Sequence, residues 1–258
     1  MTRIASAFLL LVIVVGAIWW SPYATVALAE AAALAAYFEY ASIARALGAG
    51  ILPGSGVGVL LTCLAAAFSA GMVPVVLLMA LIVVCAAALA VDGSGPRVLM
   101  STSASIFPIV YIGLPLGALA ATRIEGGRNE VLLLLAVLVV SDSAQYYTGR
   151  AVGRRPLAPT ISPKKTVEGA IGGLVFASAA TMAAGRFVLP LPLWMLGLLG
   201  AAIALLGIAG DLFESLLKRS AGLKDSSDLI PGHGGVLDRI DSWLFAAPVY
   251  YVLVRLVG

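Results

Sequence analysis

Charge is scarce in this chain. Asp, Glu, Lys and Arg make up 11% of its 258 residues, where soluble domains carry about 25%. With 61% hydrophobic residues and a mean hydropathy of +1.06, that shortage excludes an ordinary soluble domain. The short alternating segments of a transmembrane β-barrel are absent as well, because the apolar runs are continuous. Cysteine occurs only twice, as Cys63 and Cys85 in separate apolar runs. Two isolated thiols do not make a metal centre, and both read as small helix-packing residues. No internal repeat, no domain linker and no stretch long enough for a soluble domain is present.

What is there is a series of apolar runs near the roughly 20 residues that one bilayer crossing needs. The expected spans are 4–20, 23–44, 56–72, 73–91, 98–121, 129–148, 168–188, 191–209 and 242–257. The fold class is therefore all-α, a polytopic integral membrane protein with about eight or nine transmembrane helices in a single domain over 1–258. Residues 1–125 form a largely apolar half, and residues 126–258 carry the polar groups. The start of the chain, an apolar run after Thr2-Arg3, reads as two helices joined at Ser21-Pro22 and not as a cleaved leader. With the N-terminus in the cytoplasm, that side holds Arg3, Arg45, Arg97, Arg150, Arg154, Arg155, Lys164, Lys165, Lys218, Arg219, Lys224 and Arg239. The other side holds only Arg123, Arg128, Arg186 and Arg255. Twelve basic residues against four orients the chain by the positive-inside rule.

The scarce charge is also clustered. Ten of the 16 basic and 13 acidic side chains lie within the 31 residues 211–241. Ions beside hydrocarbon are costly, so such a cluster is a functional-site hypothesis. On a helix over 211–219, Asp211, Ser215 and Lys218 follow i, i+4, i+7 and share a face, with Glu214 on its flank. A carboxylate, a hydroxyl and an ammonium on one face suit a divalent cation and the phosphates it bridges. Pro231-Gly-His-Gly-Gly235 is too glycine-rich for a helix and suits close backbone approach to a ligand. Asp238 and Asp241, three apart, open the last span with Arg239 between them. Earlier, Asp142 ends one span, and Ser162-Pro-Lys164-Lys165-Thr166 leads into the next helix. Ser162 and Thr166 are its expected caps, and the lysines lie beside an anion-binding helix start. Glu30 and Glu39, nine apart in the second span, cannot share a face. Glu39 is expected to orient a neighbouring helix.

From Ser215 onward the spacing resembles the signature of phosphatidate cytidylyltransferases. The matching positions are Ser215, Lys218, Arg219, Lys224, Asp225, His233, Gly234, Gly235, Asp238, Arg239 and Asp241. Ser162 to Thr166 and Glu168-Gly169 also look like that family, although Val167 stands where Trp is more usual. The resemblance implies CMP transfer from CTP to phosphatidic acid, with pyrophosphate released. It implies magnesium on Asp211 and Asp238, with Asp241 and Asp142 as further metal candidates and room for a second cation. Lys218, Arg219, Lys224, Asp225, His233 and Arg239 would act on the phosphates. Ser162, Lys164, Lys165, Thr166, Ser215, Gly234 and Gly235 would bind substrate. A phosphate monoester loses its second proton near pH 6, so His233 is expected to contact phosphate or fix its loop and not to serve as a base. The partners implied are CTP, phosphatidic acid and membrane lipids, with a homodimer allowed and no nucleic acid. The expected location is a bacterial inner membrane with the site facing the cytoplasm. Two rival readings are a CTP-dependent polyprenol or phytol kinase and an ion-coupled transporter using Glu30, Glu39 and Asp142.

Overall fold

The structure, a computed structural model, describes residues 2–91, 95–230, 232 and 234–257. Its helices are α1 (Thr2–Trp20), α2 (Pro22–Ala46), α3 (Ser55–Phe68), α4 (Val73–Ala90), α5 (Pro96–Pro108), α6 (Leu114–Glu125), α7 (Arg128–Val152), α8 (Val167–Gly185), α9 (Leu193–Ser220) and α10 (Leu237–Val257). A two-stranded hairpin, β1 (Pro156–Ala158) and β2 (Ser162–Thr166), joins α7 to α8. Among the described residues the protein is thus all-α apart from this hairpin and an isolated bridge between Ile230 and Gly234. Among the described residues six helical segments are long and apolar enough to cross a membrane: 22–46, 70–90, 96–125, 128–152, 167–185 and 193–220. The apolar helices Phe8–Trp20 and Ser55–Phe68 are shorter.

The chain forms two compact units, Met1–Glu125 with Leu217–Ile240, and Gly126–Leu216 with Asp241–Gly258. In the first unit α1 and α2 meet at Ser21-Pro22 as expected. Ser21 Oγ accepts from the Tyr23 amide at 3.1 Å, and Pro22 takes the first helical position, where a missing N–H costs nothing. The unit's centre is α3, against which α2, α4 and α6 pack. Gly113 and Gly117 make this possible: a Cβ at either would run into the backbone of Val59 or Cys63 on α3. Small residues four apart let bilayer helices touch backbone to backbone. The segment 96–125 is not uniform. Pro115 can donate no hydrogen bond one turn back, and a π-helical turn at Ile109–Gly113 absorbs the fault between α5 and α6.

The second unit is built on α7 and α8, which pack closely along their length. Cβ atoms at Gly169, Gly172 and Gly173 on α8 would overlap Gln145 and Thr148 on α7. At the far end of α7, Glu130 receives Arg255 Nη2 at 2.9 Å, and its carbonyl accepts from Tyr250 Oη at 3.1 Å, which ties α10 to α7. The span expected at 191–209 and the helix expected through 211–219 are parts of one helix, α9, of 28 residues. Gly210 shows why it stays close to α10, because a Cβ there would meet the Asp241 carbonyl; one at Gly207 would crowd Leu138 on α7.

Candidate functional site

Each unit carries its own polar centre, and each is described separately. In the second unit the centre is three aspartates around one lysine. Lys165 lies on β2, where neighbouring side chains face opposite ways, so Lys164 is exposed while Lys165 turns inward and pairs with Asp211 Oδ2 at 2.5 Å. The hairpin is held for this task at both ends. Thr166 caps α8 by accepting from the Gly169 amide at 3.1 Å, and Glu168 Oε2 accepts from the amides of Arg154 and Arg155 at 3.0 and 3.1 Å. Asp142 and Asp241 lie within electrostatic reach of Asp211 and Lys165. Gln145 Nε2 donates to Asp142 at 3.2 Å, the Ser242 amide to Asp241 at 2.6 Å, and Ser215 Oγ to Asp211 at 3.3 Å.

One expectation is sharpened here and one corrected. Lys164 and Lys165 do lie beside the start of α8, but on a strand that runs directly into its cap, Thr166. Ser162 pairs with Ala158 in the hairpin and caps nothing, whereas Thr166 does cap α8. Arg150, Arg154, Arg155 and Lys164 surround this region with exposed positive charge.

In the first unit the centre is the loop between α9 and α10. α9 closes with a Schellman turn: the Leu223 amide donates to the Lys218 carbonyl, the Gly222 amide to the Arg219 carbonyl, and Gly222 takes φ +70°. Arg219 Nη1 adds a bond to the Leu223 carbonyl at 2.9 Å. Lys218, expected to grip phosphate, is buried and bound to Asp238. Asp238 Oδ2 also accepts from the amides of Ser226 at 3.0 Å and Gly235 at 2.8 Å, and the single Ser226 hydroxyl proton, 2.9 Å away, is shared between Asp238 and Glu39. Burial alone would raise the Asp238 carboxyl, but the Lys218 ammonium and these amides outweigh it and hold it down at about 2. Lys224, Asp225 and Arg239 are exposed, and Gly234 sits at φ +80° beside the Asp238 carboxylate. His233, expected to contact phosphate, lies outside the described residues.

Sequence reasoning missed the group that fastens this loop. Glu39, on α2, accepts from Ser226 Oγ at 3.0 Å, Ser227 Oγ at 2.7 Å, the Val236 amide at 2.9 Å and the Leu237 amide at 2.7 Å. The last two are unsatisfied donors at the start of α10, so Glu39 fills the role of a capping side chain from another helix. The expectation that Glu39 orients a neighbouring helix holds, and the loop with it. Ser226 and Ser227 carry no motif that would have marked them.

Asp211 and Asp238, expected to share one cation, belong to different units. Among the described residues no three His, Cys, Asp or Glu side chains are placed to hold a metal. The donor set of the second unit nonetheless fits magnesium. Its carboxylates are hard oxygen donors, one already gathers an ammonium, and magnesium typically takes one or two carboxylates and completes its shell with water and substrate phosphate.

The chain matches the cytidylyltransferase family over residues 1–257. It is 43% identical over 145 residues to the phosphatidate cytidylyltransferase of Helicobacter pylori (strain ATCC 700392 / 26695), covering 56% of this chain and 54% of that one. It is 44% identical over 131 residues to the phosphatidate cytidylyltransferase of Bacillus subtilis, covering 50% of this chain and 49% of that one. An Escherichia coli K12 protein, the uncharacterized YnbB, is 44% identical over 137 residues, 53% of this chain and 46% of that one. The chain thus spans about half the length of these curated relatives.

Proposed function

The chain belongs to the cytidylyltransferase family, and on that premise we propose that it transfers CMP from CTP to phosphatidic acid at the cytoplasmic face of a bacterial inner membrane. A phosphate oxygen of the lipid attacks the α-phosphorus of CTP. The bond from that phosphorus to the bridging oxygen of the β-phosphate breaks, and pyrophosphate leaves, so that CDP-diacylglycerol and pyrophosphate balance the two substrates. Such chemistry is mostly positioning and neutralisation of charge, and the residues supply both. The observation that carries the reading is the aspartate set around Lys165, a site already able to gather positive charge, on a chain with relatives named phosphatidate cytidylyltransferase.

Magnesium is part of the proposal. Asp211 with one of Asp142 and Asp241 would hold it, and Asp238 is the candidate ligand of a second cation. Bound metal supplies neutralisation of phosphate oxygens. Lys165 leaves Asp211 for a phosphate oxygen when the triphosphate arrives, with exposed Lys164, Arg154 and Arg155 drawing the anion in. The length of α9 supports the interfacial location: 28 residues rise about 42 Å, while the hydrocarbon core is about 30 Å thick. The polar end of the helix therefore reaches the head-group zone, where a lipid phosphate resides and cytosolic CTP can meet it.

The test is purified full-length protein with phosphatidic acid, magnesium and CTP labelled at either the α- or the γ-phosphorus. Label from the α position in the lipid fraction, with pyrophosphate in the water phase, is the expected result. Label from the γ position in lipid would replace the reading with a kinase, and no label in lipid from either would end it.

A further inference from the structure

The Glu39 carboxylate is far from its partners in sequence. Its hydrogen-bond partners lie 187 to 198 residues later in the chain. They bracket the loop from both sides: Ser226 and Ser227 on entry, Val236 and Leu237 on exit into α10. The loop's other fixed points are internal. Ile230 donates from its amide to the Gly234 carbonyl at 2.8 Å, and Asp238 collects Ser226, Gly235 and Lys218. Ser226 is common to both carboxylates, since its hydroxyl lies 3.0 Å from Glu39 and 2.9 Å from Asp238. Gly235 packs against this junction, and a Cβ there would overlap Ser226 Oγ and both Glu39 oxygens. Glu39 is 5% exposed, so the carboxylate is committed to these donors and not to water. A buried charge that is fully hydrogen-bonded costs little, whereas the same group without its donors costs several kcal/mol. The loop and the carboxylate therefore hold each other in place.

We infer that Glu39 is a positioning residue for the reaction: from the apolar half of the chain it holds the loop segments 226–227 and 235–237 and, through Ser226 and Gly235, the orientation of the Asp238 carboxylate and its Lys218 partner. It touches neither substrate nor metal in this role. Its effect belongs to turnover and not to capture of the lipid, because the exposed lysines and arginines that draw anions are left unchanged. This inference rests on the proposed reaction only for its catalytic consequence; the fastening itself is a property of the fold.

The experiment has two arms on the full-length protein in detergent micelles, comparing Glu39→Gln, Ser227→Ala and wild type. The first is hydrogen exchange followed by mass spectrometry over residues 226–237. Glu39→Gln, which keeps one acceptor oxygen but faces N–H donors with an amide nitrogen, is expected to speed exchange there at least tenfold. Ser227→Ala, which removes one of the four bonds, should do so by a few-fold, with helices α3 and α6 unchanged in both. The second arm is turnover of CTP and phosphatidic acid. Glu39→Gln is expected to lower kcat tenfold or more with KM for the lipid within twofold, and Glu39→Asp to recover part of that loss. Wild-type exchange rates over 226–237 in Glu39→Gln would overturn the fastening. Faster exchange with kcat within twofold of wild type would overturn the catalytic consequence, as would a loss carried by KM alone. If Glu39→Gln does not fold, Ser227→Ala decides by the same two measurements. A wild-type protein that makes no nucleotide-linked lipid counts against the proposed reaction, while the exchange arm still judges the fastening.

Discussion

Two glycines of the loop separate backbone freedom from lack of space. Gly222 has φ +70° and nothing within 4 Å of where a Cβ would stand. Replacing it with alanine costs only the left-handed conformation, about 1–2 kcal/mol. Gly235 is the reverse: its φ is not positive, but its Cβ would overlap the Ser226 hydroxyl and both oxygens of Glu39. Those atoms cannot simply swing aside, because the carboxylate is held by Ser227 Oγ and the Val236 and Leu237 amides and shares the Ser226 hydroxyl with Asp238. Making room means giving up at least two bonds to a charged acceptor, each worth about 1.5–3 kcal/mol. Gly235→Ala should therefore cost about 3–6 kcal/mol of local stability. At 1.4 kcal/mol per decade, the lower figure is roughly a hundredfold increase in opening of the loop. Hydrogen exchange over 226–237 reads that opening, and turnover of labelled CTP reads its consequence. The expected order of damage is wild type, then Gly222→Ala, then Gly235→Ala by a wide margin. If Gly235→Ala matched wild type in both assays while Gly222→Ala was impaired, the packing argument would be refuted.

Other outcomes follow from the same geometry. Thr166→Ala removes the cap on α8 and should cost about 1 kcal/mol, read as a fall of a few degrees in the melting temperature of the solubilised protein, with the Lys165–Asp211 pair loosened and CTP binding weakened several-fold. His233→Gln should retain more activity than Asp211→Asn or Asp238→Asn, because the attacking phosphate needs no base; parallel turnover assays showing all three equally dead would count against it. The Asp238 carboxyl is held at about 2 in the folded protein and titrates near 3.9 when unfolded. Its contribution to holding the loop should therefore be complete above pH 4 and fade as pH falls towards 2. Exchange protection at 226–237, corrected for intrinsic rates, is then flat between pH 7 and 5; a decline within that range would mean that Asp238 is not depressed.

Much of the architecture could be read from local pattern. The join at Ser21-Pro22, the helix through Asp211 and Arg219, and the start of α8 at Thr166 are each announced by residues within one or two turns of the event. Where the reading failed, the cause lay at longer range or in short segments. A five-residue strand with two lysines and a proline carries no strand signal, and the hairpin depends on its pairing with Pro156–Ala158 and on Glu168 holding the Arg154 and Arg155 amides. Lys165 and Lys218 read as phosphate ligands from the helix start that follows Pro163 and from the face shared with Asp211 and Ser215. That each meets an aspartate depends on partners 46 and 20 residues away. Hydropathy marks Glu39 only as an anomaly in an apolar run, and its donors lie near the other end of the chain.

The first unit, Met1–Glu125 with Leu217–Ile240, is discontinuous in sequence. This bears on how the protein can be cut and recombined. A chimera that trades the leading 125 residues for those of a cousin also trades away the keeper of the late loop. It will function only if the donor brings a carboxylate to the place of Glu39 and leaves room beside it for a residue with no side chain. Splitting the chain after Glu125 would leave the trailing fragment with its chemistry intact on paper and its most crowded turn unmoored.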